Sequence, residues 1–173
     1  MSEIKLDLGC GRYKVPGFIG VDKYKIVNPD IVCDIEIEKL PFDDSTVAKI
    51  RSSQVFEHIV KLNEVLAECH RVLKVDGVLE IEVPYWSSEG AFRDPTHVRF
   101  FSEKSFEYWR PESECAYYAG CSPYKVEKVE YVTHPSLFIK IIRRTLGIRF
   151  LKLFNNCIIG LRFILTPIKS PHN

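Results

Sequence analysis

Acidic residues stop at Glu130: none occurs in the last 43 positions of this 173-residue chain. Its six cysteines (Cys10, Cys33, Cys69, Cys115, Cys121 and Cys157) include no C-x-x-C pair, which excludes a zinc ribbon and a dithiol redox motif and fits free thiols in a reducing cytosol. Metal-ligand spacing is missing too: there is no H-x-x-x-H and no His/Cys or carboxylate cluster, so no metal is expected. Overall charge is nearly absent, with 24 Lys and Arg against 23 Asp and Glu, so the chain lacks the positive excess of a nucleic-acid binder. The opening Met-Ser-Glu-Ile-Lys has neither the charged nor the apolar region of a signal peptide. With 46% hydrophobic and 27% charged residues, the composition is that of one folded domain.

The near-zero charge hides an asymmetry. Residues 1–130 carry 17 basic and 23 acidic side chains, a net of −6. Residues 131–173 carry seven basic ones (Lys140, Arg143, Arg144, Arg149, Lys152, Arg162 and Lys169), a net of +7.

Short apolar runs alternate with turns along the first part. Ile4 to Leu8 enters Gly9-Cys10-Gly11, which predicts a strand ending in a glycine turn. Phe18 to Asp22 and Ile31 to Asp34 are two further runs, each closed by an acid, and Val47 to Ser52 is a fourth. From Lys61 to Lys74, apolar residues recur at spacings of three and four, which predicts an amphipathic helix ended by Asp76-Gly77. Val78 to Val83 is a fifth strand, Tyr85 to Arg99 a polar loop, Ser102 to Trp109 a short helix capped by Ser102, and Lys125 to Thr133 another strand; Glu112 to Ser122 is expected to be irregular. The pattern is α/β, with a mostly parallel sheet covered on both faces and ligands at the carboxyl ends of its strands. Between the glycine turn and Asp22 only ten residues intervene, Pro16 and Gly17 among them, so the usual first helix should shrink to a loop or one turn.

Asp7-Leu8-Gly9-Cys10-Gly11 resembles the first motif of class I S-adenosylmethionine-dependent methyltransferases. The likeness continues in order through Gly20-Val21-Asp22, Cys33-Asp34-Ile35, Leu40-Pro41-Phe42-Asp43, Ser53-Gln54-Val55-Phe56-Glu57-His58 and the stretch Glu68 to Leu79. It is most similar to the small-molecule branch called methyltransferase type 11. The resemblance implies a Rossmann-like fold, S-adenosylmethionine as cofactor and cofactor contacts at Asp7, Gly9, Gly11, Asp22, Asp34, Ile35 and Ser53. Gly9 and Gly11 would let the methionine part approach the backbone. Asp22 would accept from both ribose hydroxyls, and Asp34 with Ile35 would meet the adenine. The cofactor has no phosphate, so a shortened first helix is tolerable here and damaging for a nicotinamide dinucleotide.

The position after the fourth strand reads Ser52-Ser53-Gln54-Val55, unlike the Asn/Asp-Pro-Pro-Tyr motif of nucleic-acid amino-methylating enzymes, so DNA and RNA are not the expected acceptors. The expected acceptor is a small molecule, a sugar or a lipid-linked glycan. His97 and Asp94 are the catalytic candidates, set against a loop-packing role for the histidine. Tyr85, Trp86, Arg93 and Arg99 are the substrate-binding candidates, set against sheet-edge packing and solvation. His58 reads as a local hydrogen-bonding residue. The competing reading is a binding module of the same fold that acts through a partner protein.

These contrasts divide the chain into a methyltransferase domain over 1–133 and a basic amphipathic helical extension over 134–173. In Ser136 to Gly147, apolar residues at 137, 138, 141, 142 and 146 alternate with basic ones at 140, 143 and 144. Ile148 to Leu165 is read as continuing that helical style. Its longest charge-free run, Leu153 to Leu161, is far short of the roughly 20 residues a spanning helix needs. Cationic and apolar residues without acids suit an anionic membrane surface, contacted from the cytoplasmic side through 136–165, or alternatively packing on the sheet or in a homodimer.

Overall fold

The computed structural model describes residues 3–113 and 122–169; Cys115, Cys121 and most of the stretch expected to be irregular lie outside them. Seven strands form one sheet: β1 (Ile4–Leu8), β2 (Ile19–Asp22), β3 (Ile31–Val32), β4 (Val47–Ser53), β5 (Leu73–Pro84), β6 (Tyr124–Thr133) and β7 (Ile158–Pro167). Their spatial order is β3-β2-β1-β4-β5-β7-β6. The first five are parallel to one another, while β7 runs antiparallel between β5 and β6.

Helix α1 (Leu62–Val72) buries Leu62, Val65, Leu66, Cys69 and Val72, the stripe set by the three-four spacing. That stripe joins Leu6, Leu8, Ile50, Leu79 and Ile81 in the core. The helix ends at Val72, earlier than Asp76-Gly77, because Leu73 turns extended and pairs with Val47 at the start of β5. Between β1 and β2 lie only turns, as the short spacing requires. Ser102 does not cap a helix: the 3-10 turn Ser105–Trp109 starts after Lys104, and Ser102 instead exchanges bonds with the Ser105 hydroxyl and the Lys104 N–H. A short helix, α2 (Gly90–Arg93), interrupts the expected loop after β5.

The opposite sheet face is ionic. Arg51 pairs with Asp7, Lys49 with Glu80, and Arg162 of β7 with Glu82, Glu80 and Glu130. Opposite charges on adjacent strands keep that half-exposed face polar without leaving lone buried ions.

The C-terminal stretch differs from the helical expectation. Helix α3 (Leu137–Thr145) is as predicted, and Gly147, with φ of +80°, marks its end before a short α4 (Gly147–Leu151). Ile158–Pro167 is then a strand, not a helix. Leu161, Phe163 and Leu165 are fully buried on one face, while Arg162 and Ile164 stand on the other, which is a period of two.

Candidate functional site

The carboxyl ends of β1 to β4 surround a cavity of about 540 Å³, a size in the ordinary range for a small-molecule or cofactor site. Gly9, Asp22, Asp34 and Ile35 line it, together with Lys23, Tyr24, Glu36, Gln54, Val55, His58, Ile59 and Thr96.

Gly9 sits at φ +65°, and its N–H donates to the Val21 carbonyl at 2.8 Å. A side chain there would meet the Val55 Cγ2 at 2.3 Å. Gly9→Ala is therefore expected to destabilise the fold by at least about 1–2 kcal/mol from the left-handed backbone alone, with Val55 displaced from the cavity wall. Thermal unfolding beside the parent protein checks this; an unchanged midpoint would show the turn relaxes freely.

Asp22 is nearly buried. Its Oδ2 accepts from the Gly11 N–H at 3.0 Å and its Oδ1 from the Tyr24 N–H at 2.9 Å. Each oxygen keeps a further lone pair for a hydroxyl donor. Asp34 Oδ1 accepts from the Glu36 N–H, and Asp34's own N–H donates to Glu38. Glu36 in turn accepts from the N–H groups of Val60 and Lys61 at 2.8 and 2.9 Å, satisfying free donors at the start of α1 and tying one rim of the cavity to the other.

Asp7, Gly11 and Ser53 stand outside the lining. Asp7 accepts from Arg51 at 3.1 Å and from the Val15 N–H at 3.3 Å, so it anchors the turn that carries Gly9 and Gly11. At the end of β4 the cavity is met by Gln54 and Val55. Gln54 has a positive φ of 58°, a conformation that costs a non-glycine residue energy and that turns the chain across the cavity mouth.

On the far side, the Val98 and Arg99 N–H groups donate to the Glu57 carbonyl, so residues 94–99 lie against the turn Phe56–His58. Arg99 spends its guanidinium on the carbonyls of Ile59 and Val60. Asp94 accepts from both the N–H and the hydroxyl of Thr96, which also hold its carboxyl below the usual range. Tyr85 is buried with its hydroxyl toward Glu103; Trp86 and Arg93 are exposed.

His97 and His58 come edge to face with centroids 4.7 Å apart. Beside them lies Glu57, 1% exposed, with neither carboxylate oxygen hydrogen-bonded. Burial pushes its carboxyl up to about 7, opposed by the nearby His97. In the sequence Glu57 is one residue of the Ser53–His58 motif and nothing more. Its buried state depends on residues 40 positions further on and leaves no local signal.

This topology, with five parallel strands, a reversed β7 and a cavity at the strand ends carrying Gly9, Asp22 and Asp34, is that of class I S-adenosylmethionine-dependent methyltransferases. Residues 15–81 match the model of the methyltransferase domain family of type 11. Solved structures agree on the fold. A methyltransferase dependent on S-adenosylmethionine from Archaeoglobus fulgidus superposes with a TM-score of 0.66 at 19% identity, covering 95% of this chain and 86% of that one. A putative methyltransferase of Haloferax volcanii, solved with the Trm112 activator, gives 0.63 at 17%, covering 99% and 85%. Phosphoethanolamine N-methyltransferase 2 of Haemonchus contortus, solved with S-adenosyl-L-methionine, gives 0.61 at 15%, covering 98% of this chain and 49% of that one. No curated protein matches the sequence. The chain thus has the fold of class I methyltransferases, and residues 15–81 within it match a methyltransferase domain family.

Proposed function

We propose that the protein binds S-adenosylmethionine and transfers its methyl group to a small molecule, sugar or lipid-linked glycan that it meets at the surface of an anionic membrane. The observation that carries this reading is α3. None of its residues is buried, and Leu137, Phe138 and Ile141 are 73%, 68% and 53% exposed. Leu146, Leu153 and Phe154 extend the exposed apolar surface. Lys140, Arg143, Arg144 and Arg149 accompany them with no acid in the segment. Ile139 and Ile142 rest against the core, but Leu137, Phe138 and Ile141 are left facing outward with cations beside them, the arrangement that lies in a headgroup region.

No helix among the described residues is long and apolar enough to cross a membrane, so the contact is peripheral. The chain after this helix touches the loop after β5 that carries the acceptor candidates Tyr85 and Trp86: the Asn156 N–H donates to the Ser87 carbonyl, the Glu89 N–H donates to the Asn156 side chain, and Lys152 pairs with Glu103. Trp86, Phe92 and Phe100 are each about half exposed or more on that adjoining loop. A lipid-anchored acceptor would therefore approach along one surface. Displacement at a sulfonium needs chiefly alignment of acceptor, methyl and sulfur, which such two-dimensional presentation favours.

Vesicle co-sedimentation of the whole chain tests the reading. Each cation near an anionic surface is worth about 1 kcal/mol, so Arg144→Gln should weaken binding to phosphatidylserine-containing vesicles about five-fold. Binding should also fall with added salt. Equal partition of the parent and Arg144→Gln proteins onto anionic and neutral vesicles would overturn the membrane role, and a concentration-dependent mass would point to self-association instead.

A further inference from the structure

We infer that Glu57, His58 and His97 form a binding site for a first-row divalent metal ion, of which zinc is the type. One ligand atom from each lies within 4.8 Å of those from the other two. The hydrogen bonds around them fix what each can offer. The Thr96 hydroxyl gives its only hydrogen to Asp94 Oδ1 at 2.7 Å, so at its 2.9 Å contact with His58 Nδ1 it must accept. His58 therefore carries its proton on Nδ1. His97 Nδ1 faces the Ala91 carbonyl at 2.9 Å, and a carbonyl only accepts, so His97 is protonated there too. Both imidazoles are thus held with Nδ1–H donating outward and Nε2 as the free nitrogen. That is the orientation in which metal-ligating histidines are held by their outer partners.

Glu57 supplies the third group and the charge. Its carboxylate is buried with no hydrogen-bond donor on either oxygen, an arrangement that is costly unless a cation or a donor completes it. The imidazoles lie too far away to be that donor, yet close enough to share an ion. Zinc bonds of about 2.0–2.2 Å place neighbouring ligand atoms of a tetrahedron roughly 3.3–3.5 Å apart. A shift of about 1 Å or slightly more, made by the two half-exposed histidines together with the loop oxygens that hold their Nδ1–H groups, closes the remaining gap. Two imidazoles and one carboxylate suit zinc, iron, cobalt or nickel better than magnesium or calcium, which prefer all-oxygen shells. Three protein ligands also leave a coordination position open.

Position gives the site a consequence. Glu57 and His58 belong to the turn after β4, and His97 to the segment laid over it; His58 and Thr96 both line the cofactor cavity. A bound ion would tie these two segments together at the rim. It would also reassign His97, because a ligated nitrogen is not free to accept a proton. The inference stands apart from methyl transfer and from the membrane reading.

The test is metal binding by the full-length protein after dialysis against a chelator. Cobalt(II) is titrated first, read by its visible absorption, and zinc is then added in competition. One equivalent of cobalt should bind without the near-ultraviolet charge-transfer band of cysteine ligation, and zinc should displace it. Glu57→Gln, isosteric and checked for an unchanged circular dichroism spectrum, should weaken binding at least ten-fold, and His97→Gln likewise. His134→Gln, on a histidine outside the cluster, should bind as the parent does. Absence of a saturable cobalt spectrum would overturn the inference. So would full binding retained in Glu57→Gln and His97→Gln, or a thiolate band showing that cysteines hold the ion. Calorimetry with S-adenosylmethionine on the same metal-free samples reports cofactor binding separately, so a failed metal site and a failed methyltransferase reading give different results.

Discussion

Phe163→Ala should lower the free energy of unfolding by about 3–5 kcal/mol, the range for removing a buried aromatic side chain from a packed core. Phe163 has no exposed surface and stands at the middle of β7, opposite Ile81 of β5 and Val129 of β6. Its ring meets Phe106 edge to face with centroids 4.6 Å apart, and Phe106 continues to Phe101 and Trp109. Truncation would leave a hole bordered by strands on both sides and by the Phe106 ring. Domains of this kind are stable by only about 5–15 kcal/mol, so the loss would be visible as a large shift in urea midpoint. Arg162→Ala is the comparison: that side chain is 40% exposed on the opposite face, and solvent-screened ion pairs contribute little, about 0–1 kcal/mol. A Phe163→Ala protein within 1 kcal/mol of the parent would mean that β7 is not a central strand. The same geometry says what a chain ending at Thr133 would do. Among the described residues β6 pairs with β7 alone, so removing β7 strips β6 of its partner and β5 of an edge. Such a chain is expected not to fold, which is why membrane contact is tested by side-chain substitution.

The difference between β7 and its helical expectation has a physical cause. Its buried face, Leu161, Phe163 and Leu165, follows the strand period, but Ile164 falls between them and Ile158 and Ile159 precede them, so the run is apolar almost throughout. A continuous apolar run carries no period, and the single Arg162 on the ionic face looked like one more cation of a basic helix. That arginine instead completes the charge pattern of Glu80, Glu82 and Glu130 on neighbouring strands. The early strands were legible because each signal is local: an apolar run, a turn, an acid at the end. That Gly9, Asp22 and Asp34 would share one cavity was legible for the same reason, since they lie at consecutive strand ends. The histidine side was not. Glu57 and His58 meet His97 only because a segment nearly forty residues later folds back over the turn after β4, and no spacing rule covers that closure. Ser53 was one residue from the cavity wall; the positive φ of Gln54, which carries the chain across the mouth, is not written in residue type.

Asp22→Ala should weaken S-adenosylmethionine binding about 10- to 150-fold, corresponding to the roughly 1.5–3 kcal/mol of hydrogen bonding to a charged acceptor. The carboxylate ends β2 at the cavity wall and is the strand-end acid best placed for a ribose diol. Two of its lone pairs already accept from Gly11 and Tyr24, so it holds the glycine turn, and the proposal gives it a second task, receiving the cofactor. The substitution removes both, and the two losses must be separated. Asp22→Asn keeps one acceptor oxygen for one backbone N–H but sets its NH2 against the other, so it should lose some stability too, while its affinity falls between parent and alanine. The checks are calorimetric titration with the cofactor and thermal unfolding of each protein without it. If the alanine variant lost affinity only in proportion to its loss of folded protein, Asp22 would be a turn residue alone. If affinity were unchanged in a folded variant, the ribose would have to be held elsewhere on the cavity wall, where Lys23 and Tyr24 are the adjoining donors. A loss of affinity with the fold retained, graded through asparagine, is what a carboxylate shared between turn and ribose requires.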